Sequence, residues 1–140
     1  MNRKVLQVGA DLNFELIAIT STLKDYRICF LINKYLKFNF SKEDDLAVDI
    51  YHNSNEPALF SLYHYQWEST STDFYFIANR GTDGLLIPEM RQADYFMMIK
   101  NYIDENELDD IINGLNRLPE IISAIKIDPK KIKSNENLLF

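Results

Sequence analysis

The middle of the chain carries the stretch around which the rest of the sequence is organised, Leu85-Leu86-Ile87-Pro88-Glu89-Met90-Arg91-Gln92-Ala93-Asp94-Tyr95-Phe96. It follows an Asp-Gly turn signal at Asp83-Gly84. Because Pro88 has no backbone donor, a strand ends there or lies at a sheet edge, while Pro followed by Glu also suits the first turn of a helix. We therefore expect residues 85–87 to form the third strand of a meander and residues 88–92 a short helical turn or an irregular crossing. Residues 95–99 are predicted to be a buried strand, with a longer helix through Tyr102 as the alternative.

The clearest strand signal lies just before this stretch. Residues 59–67 and 74–79 are rich in aromatic and β-branched side chains, and a Ser/Thr-rich segment separates them. This pattern predicts a β-hairpin. Alternation along the first strand places Leu59, Ser61, Tyr63, Tyr65 and Trp67 on one face, and Phe60, Leu62, His64 and Gln66 on the other.

Two segments have helical patterns. Residues 104–118 carry apolar side chains at i, i+3, i+4 and i+7, with Asp104 and Glu107 at capping-box spacing. Residues 21–36 begin with the same spacing at Thr22 and Asp25, and they are apolar on more than one side, which is typical of a well-buried helix. A buried strand over residues 28–32 is the alternative for the second segment.

The remaining segments complete an α+β pattern. Residues 4–8, 14–20, 47–51 and 121–127 are predicted to be extended, residues 41–45 a polar loop and residues 52–57 a turn. The end of the chain then alternates strand, helix and strand, which is half of a ferredoxin-like unit. The predicted fold is α+β, a mostly antiparallel sheet with two main helices packed on one face and a ferredoxin-like C-terminal half.

The predicted organisation is a single α+β domain, residues 1–133, followed by a polar tail, residues 134–140. The tail ends in an apolar tripeptide, Leu138-Leu139-Phe140. Since apolar ends rarely stay in water, we expect these residues to dock on their own domain or on a neighbouring subunit. Capture by another protein is the functional alternative.

Composition limits the class of protein. The chain has 140 residues, of which 46% are hydrophobic and 13% aromatic, so a chain of this length can bury a real core. Its net charge of −6 disfavours nucleic acid and anionic membranes as partners. No apolar run approaches the ~20 residues of a membrane span, the N-terminus lacks the apolar core of a signal peptide, and the single Cys29 cannot form an internal disulfide. We expect a cytoplasmic protein.

The segment from Ile87 to Tyr95 also resembles a known pattern. Ile87-Pro88-Glu89, three variable residues, and then Ala93-Asp94-Tyr95 are similar to the signature of the IPExxxVDY family, a small family of uncharacterised bacterial proteins. The chain departs from that signature only at Ala93, where the family has Val. The family has no assigned activity, so the resemblance implies none.

Glu89 and Asp94 are the first candidates for chemistry. Two carboxylates near a turn could serve as general acid and base or bind a divalent cation. The stronger interpretation is structural, with Glu89 capping the turn, Asp94 accepting backbone donors, Tyr95 packing, and Arg80 or Arg91 pairing with one carboxylate. Binding of a ligand or partner comes next, and catalysis last.

Other catalytic or metal-binding patterns are weak. His52 and His64 match no compact zinc spacing, and His64 is expected to be a satisfied inward or edge residue. Cys29 lies in an apolar run, where burial makes a thiol a poor nucleophile. The sequence has neither a Gly-x-Ser-x-Gly elbow nor a phosphate-binding loop. We therefore predict no catalytic residue, no metal and no cofactor.

The aromatic face of Tyr63, Tyr65 and Trp67 is the remaining candidate surface. Such faces bind nucleic acid only beside a basic groove, which this acidic chain lacks, and they more often pack under helices or form protein interfaces. We expect a non-catalytic interaction or self-associating module, with a protein partner or a homodimer. A regulatory domain that binds a small molecule is the alternative.

Overall fold

The computed structural model describes residues 12–50 and 56–140. Its two helices are α1 (Asp25–Leu36) and α2 (Glu105–Arg117), and short 3-10 turns follow at Pro129–Lys131 and Asn135–Leu138. The strands are β1 (Glu15–Thr20), β2 (Ser41–Lys42), β3 (Leu46–Val48), β4 (Ala58–Phe60), β5 (Leu62–Trp67), β6 (Thr72–Ala78), β7 (Arg80–Gly81), β8 (Gly84–Leu85), β9 (Tyr95–Lys100) and β10 (Ser123–Ile127). The predicted strand at residues 4–8 and most of the predicted turn at residues 52–57 lie outside the described residues.

Six strands form the main sheet in the order β10-β1-β9-β6-β5-β2, and every pairing within it is antiparallel. Since β9 and β10 both run antiparallel to β1 and flank it, they are parallel to each other, and α2 makes the crossover between them. This arrangement confirms the ferredoxin-like C-terminal half. The same topology extends to β1, α1 and β6, while β5 and β2 widen the sheet at one edge.

Both faces of the sheet are covered. The two helices lie on one face, where α1 buries Ile28 and Ile32 and α2 buries Leu108, Ile111 and Leu115 in one cluster. This confirms the predicted helical layer. The opposite face packs against a second core, to which the central stretch and the tail contribute three fully buried side chains, Leu86, Ile87 and Leu138.

Several elements form as their sequences predict. Asp104 and Glu107 make the expected capping box, so α2 begins where the pattern places it. The hairpin is β5–β6, with Trp67 opposite Thr72 and a turn over residues 68–71. β9 is the central strand, and Phe96, Met97 and Met98 are all fully buried between the two cores, which excludes the alternative helix through Tyr102.

The start of α1 differs from the prediction. The helix begins at Asp25, and the N-cap residue is Lys24, whose side chain makes no capping hydrogen bond. The predicted cap at Thr22 is therefore wrong. Ser21 explains the difference, because its hydroxyl donates to the Glu120 carbonyl and accepts from the Leu23 amide, which holds this segment outside the helix.

The predicted burial of α1 on more than one side is also wrong. Its buried residues are Ile28, Cys29 and Ile32. Three aromatic side chains on the remaining surface are mostly exposed, namely Tyr26 at 60%, Phe30 at 62% and Tyr35 at 58%. An apolar residue count alone does not distinguish a core face from an aromatic outer face.

Three strand boundaries also differ from the prediction. The third strand of the meander is β9 rather than residues 85–87, because Leu86 and Ile87 turn away from the main sheet into the second core. The predicted first hairpin strand is divided, since β4 pairs with β3 while β5 pairs with β6. Ser41–Lys42, predicted to be loop, is the edge strand β2.

At both edges of the main sheet, an asparagine side chain makes hydrogen bonds to the backbone. Asn116 in α2 accepts from the Ala124 amide at 2.9 Å and donates to the Ala124 carbonyl at 2.8 Å. Asn33 in α1 does the same for Phe40, just before β2, at 2.8 and 3.2 Å. We call these two contacts the asparagine clamps. A side-chain amide thereby occupies hydrogen-bonding positions that a further strand would otherwise use.

Gly81 provides a test of how closely β7 approaches the rest of the fold. A Cβ at Gly81 would lie 2.6 Å from both the Leu59 carbonyl oxygen and the Phe60 ring. Because backbone cannot yield as a side chain can, Gly81→Ala should lower the free energy of unfolding by about 1–3 kcal/mol in urea denaturation.

Gly114→Ala is the matched control. There a Cβ would meet only the flexible end of Leu36, at 3.2 Å, and alanine is the better helix former by about 1 kcal/mol. If both variants lose the same free energy of unfolding, the close approach of Gly81 to Leu59 and Phe60 does not explain the loss.

Candidate functional site

The central stretch is organised around Asn79, a buried residue that follows β6. Its side-chain amide donates to the carbonyls of Met90, at 3.0 Å, and Ala93, at 2.8 Å, and its oxygen accepts from the Ile87 amide at 2.8 Å. Its backbone amide donates to the Asp94 carbonyl, and its backbone carbonyl accepts from the Leu86 amide. The loop over residues 87–94 is therefore closed around one amide that is fully buried.

The sequence pattern does not single out Asn79. This residue follows a strand and precedes a turn, and asparagine is so common in turns that its presence there does not indicate a buried role. Residues 88–92 form consecutive turns, which agrees with the irregular crossing that was one of two expectations.

Asp94 joins two distant parts of the chain. One carboxylate oxygen accepts from the Ser21 amide at 2.9 Å, and the other accepts from Arg80 Nε at 3.2 Å. Arg80 also donates to the Arg91 carbonyl at 3.1 Å. Asp94 thus links the segment before α1 to β7, as the structural interpretation of this residue expects.

Tyr95 lies next to Asp94 and is buried at the start of β9. Its hydroxyl donates to the Leu23 carbonyl at 2.7 Å. Burial, followed by the nearby carboxylates of Asp25 and Asp94, raises the pKa of Tyr95 to about 12. The hydroxyl therefore keeps its proton at neutral pH and acts as a hydrogen-bond donor.

Glu89 is directed to a different part of the fold. Its carboxylate accepts from the Ser134 amide at 2.6 Å and from the Ser134 hydroxyl at 2.9 Å, which ties the central stretch to the tail. Burial acts to raise the pKa of Glu89, but the hydrogen bonds from Ser134, its own amide and Lys133 outweigh it and lower the pKa.

The structure does not bring Glu89 and Asp94 into one site. Asp94 lines an open cavity of about 500 Å³ together with Arg80, Tyr95 and Thr20, whereas Glu89 lines other cavities. Within this cavity Arg80 and Asp94 pair with each other, and the Tyr95 proton is engaged by a carbonyl. The arrangement fixes loops and presents no activated nucleophile.

The predicted aromatic face is turned toward the helical layer. Tyr63 is buried in the cluster that includes the helices, as expected if this face packs under the helical layer. Tyr65 and Trp67 are half-buried. The Tyr65 ring lies 5.2 Å from Phe38, and the Trp67 ring lies 4.7 Å from Phe74.

A groove between the helices brings Trp67 beside charged side chains. Two adjoining cavities of about 360 and 450 Å³ share part of their lining, and we call them together the interhelical groove. Its walls include Tyr35, Leu36, Trp67, Asp110, Gly114 and Arg117. Trp67 was a candidate from the sequence. Its neighbours in the groove come from both helices, and no sequence spacing relates them to Trp67.

The other chemistry candidates have structural partners. His64 Nε2 lies 2.7 Å from Asp73 Oδ1, and its ring packs 4.9 Å from Tyr75, as expected of a satisfied histidine. Burial raises the pKa of the Cys29 thiol far above its usual range. His52 lies outside the described residues. Within residues 12–50 and 56–140, no three His, Cys, Asp or Glu side chains are grouped as metal ligands.

No model of a known protein family matches the chain, and a search of curated proteins found no significant match. Among the described residues, neither helix has the length and apolar character needed to cross a membrane.

Asn79 can be tested by Asn79→Ala. The substitution leaves the buried Ile87 amide and the buried Ala93 carbonyl without partners, whereas the Met90 carbonyl keeps its bond from the Ala93 amide, so the free energy of unfolding should fall by about 2–5 kcal/mol in urea denaturation. Asn113→Ala, at an exposed position in α2, should change it by less than about 0.5 kcal/mol. A loss below 1 kcal/mol for Asn79→Ala would contradict the role assigned to this amide.

Glu89 predicts a pH dependence. Because its pKa is lower in the folded chain than its ordinary value of 4.5, its contribution to stability is fully present above that pH and is lost as the pH falls through the folded pKa. Glu89→Gln should therefore be less stable than the parent at pH 7, and the two stabilities should converge on acidification. Thermal unfolding measured across this range checks the sign. A constant difference down to the lowest pH would show that the charge of Glu89 contributes nothing.

Proposed function

We propose that this chain is a non-catalytic interaction module that associates with a second copy of itself through its helical layer. The observation that carries the proposal is the opposite charge of the two helices. The segment that contains α1 exposes Lys24, Arg27, Lys34 and Lys37, whereas the one that contains α2 exposes Asp104, Glu105, Glu107, Asp109 and Asp110.

This distribution is self-complementary. In a two-fold arrangement, α1 of one copy can lie on α2 of its partner while α2 lies on the partner's α1, so each charge contact forms twice. Two chains that each carry a net charge of −6 repel each other, and the basic surface of α1 offsets this repulsion where it meets the acidic α2 of the partner. Complementary charge favours this pairing over a like-with-like helix contact.

Exposed aromatic rings support the same surface. Tyr26, Phe30 and Tyr35 of α1 are each more than half exposed, and tyrosine and phenylalanine are enriched in protein interfaces. Burying them against a partner would add apolar area to the charge contacts. No other described helix or strand exposes three large aromatic side chains.

The rest of the sheet offers less to a partner. Its two faces are occupied by the helices and by the second core. Ile122 and Ile125 are exposed at and beside β10, but the Ala124 backbone between them is held by an asparagine clamp. Addition of a partner strand at β10 would require that clamp to open.

A regulatory domain for a small ligand is the second candidate. The cavity beside Arg80, whose side chain is 60% exposed, favours it. We rank it below self-association because Asp94 already pairs with Arg80 and would have to be displaced. Our proposal includes a cytoplasmic location, supported by the single cysteine and the acidic composition. Membership of the IPExxxVDY family is likewise proposed, on the residues between Ile87 and Tyr95, and it adds no activity.

Charge reversal tests the proposed dimer. Arg27→Glu with Lys34→Glu makes both helices acidic, and Asp109→Lys with Asp110→Lys puts two positive charges on α2, opposite the basic surface of the partner's α1. Each variant alone should dimerise at least about tenfold more weakly than the parent in analytical ultracentrifugation, because like charges then face each other. An equimolar mixture should recover the association, since the heterodimer restores both opposite-charge contacts.

Lys130→Glu with Lys131→Glu is the control, because it changes the net charge as much as the Arg27 and Lys34 variant does, at exposed positions outside the helices. It should leave dimerisation within about threefold of the parent at physiological salt. A parent chain that remains monomeric at its highest soluble concentration would overturn the proposal, and so would a mixture that fails to associate.

A further inference from the structure

We propose that the interhelical groove receives the Arg27 guanidinium of the second copy, which stacks on Trp67 and pairs with Asp110. The inference rests on the self-association proposed above and names the contact that makes it specific. By two-fold symmetry each dimer would contain this contact twice.

The aromatic wall of the groove is suited to a cation. Trp67 lines the groove, is half-buried, and packs edge-on against Phe74, which fixes the orientation of its ring. Tyr35 lies on the same wall and already attracts a cation, because Lys34 Nζ of its own helix lies 5.3 Å from the ring centroid. Indole is the strongest of the aromatic side chains in cation–π contacts, and arginine is the more frequent cation partner.

The charge in the groove has a defined location. Asp110 is exposed, and within the described part of the chain no hydrogen bond or ion pair engages its carboxylate. Arg117 also lines the groove, but it lies seven positions after Asp110, which corresponds to about 10 Å along the helix axis. That distance is close to the screening length at physiological salt, so a guanidinium can bind at the Asp110 end.

Arg27 is the best matched cation of α1. Its side chain is exposed and has no partner among the described residues, so no existing contact must be broken. Phe30, three residues further along α1, lies on the neighbouring surface and is 62% exposed. A planar guanidinium can stack on indole and donate to a carboxylate at the same time, which the ammonium of Lys24 cannot do as well.

The groove contains its own reporter, because Trp67 is the only tryptophan of the chain. The experiment measures intrinsic tryptophan emission as a function of protein concentration, in parallel with sedimentation of the same samples. We expect the emission to change with the same midpoint as dimer formation. Arg27→Gln and Asp110→Asn should each weaken dimerisation at least about tenfold and remove the emission change at concentrations where the parent is dimeric.

Lys130→Gln is the control, since it removes one exposed positive charge at a position outside the two helices. It should leave the dissociation constant within about threefold and retain the emission change. Arg27 and Asp110 are exposed, and their side chains have no partner among the described residues, so the circular dichroism and melting temperature of their variants should match those of the parent at concentrations where all are monomeric.

The outcomes separate the two proposals. A parent dimer that forms without any change in Trp67 emission overturns the groove contact and leaves self-association standing. Unchanged dimerisation of Arg27→Gln or Asp110→Asn overturns it as well. A parent chain that does not associate at any soluble concentration overturns self-association, and the contact in the groove falls with it.

Discussion

The fold depends on the hydrogen bonds of one buried side-chain amide, that of Asn79. Asn79 lies where the second core meets the end of β6, and its fully buried side chain makes hydrogen bonds to three backbone groups, two of them in buried contacts. Because these bonds fix the loop over residues 87–94, they also determine where Ile87 packs and where β9 begins. Glu89 and Asp94 then attach this loop to the tail and to the segment before α1. One buried polar side chain thereby organises the loop that covers the second core.

The sequence predicts those parts of the fold in which neighbouring residues share one environment. α2 follows from its apolar spacing and its cap, the hairpin from its aromatic strands, and β9 from an apolar run that is buried on both sides. Prediction fails where a distant partner decides the outcome. Ser21 bonds Glu120 and so delays α1, and Asn79 draws residues 86 and 87 away from the sheet. Such contacts join residues that no local pattern relates.

The candidate site shows the same division. The Arg80–Asp94 pair and the packing of Tyr95 could be anticipated from charge and hydrophobicity, and the structure gives all three an internal role. The interhelical groove could not be anticipated, because Trp67, Tyr35 and Asp110 come from three elements whose relative positions are set by the crossover of α2. Opposite charges and exposed aromatic rings lie together on the helices, whereas the Glu89 and Asp94 carboxylates of the central stretch are engaged within the fold.

The pairing of β1 with β10 has a consequence for how the molecule is made. Leu16 lies opposite Ile127, so the two strands are joined only after nearly the whole described chain has been synthesised. Leu138, which closes the second core, follows later still. During translation one edge of β1 is therefore unpaired until β10 is made, and Leu86 and Ile87 lack their packing against Leu138. Folding of such a chain is expected to be slow, and the unfinished sheet is the state most exposed to unwanted contacts with other nascent chains.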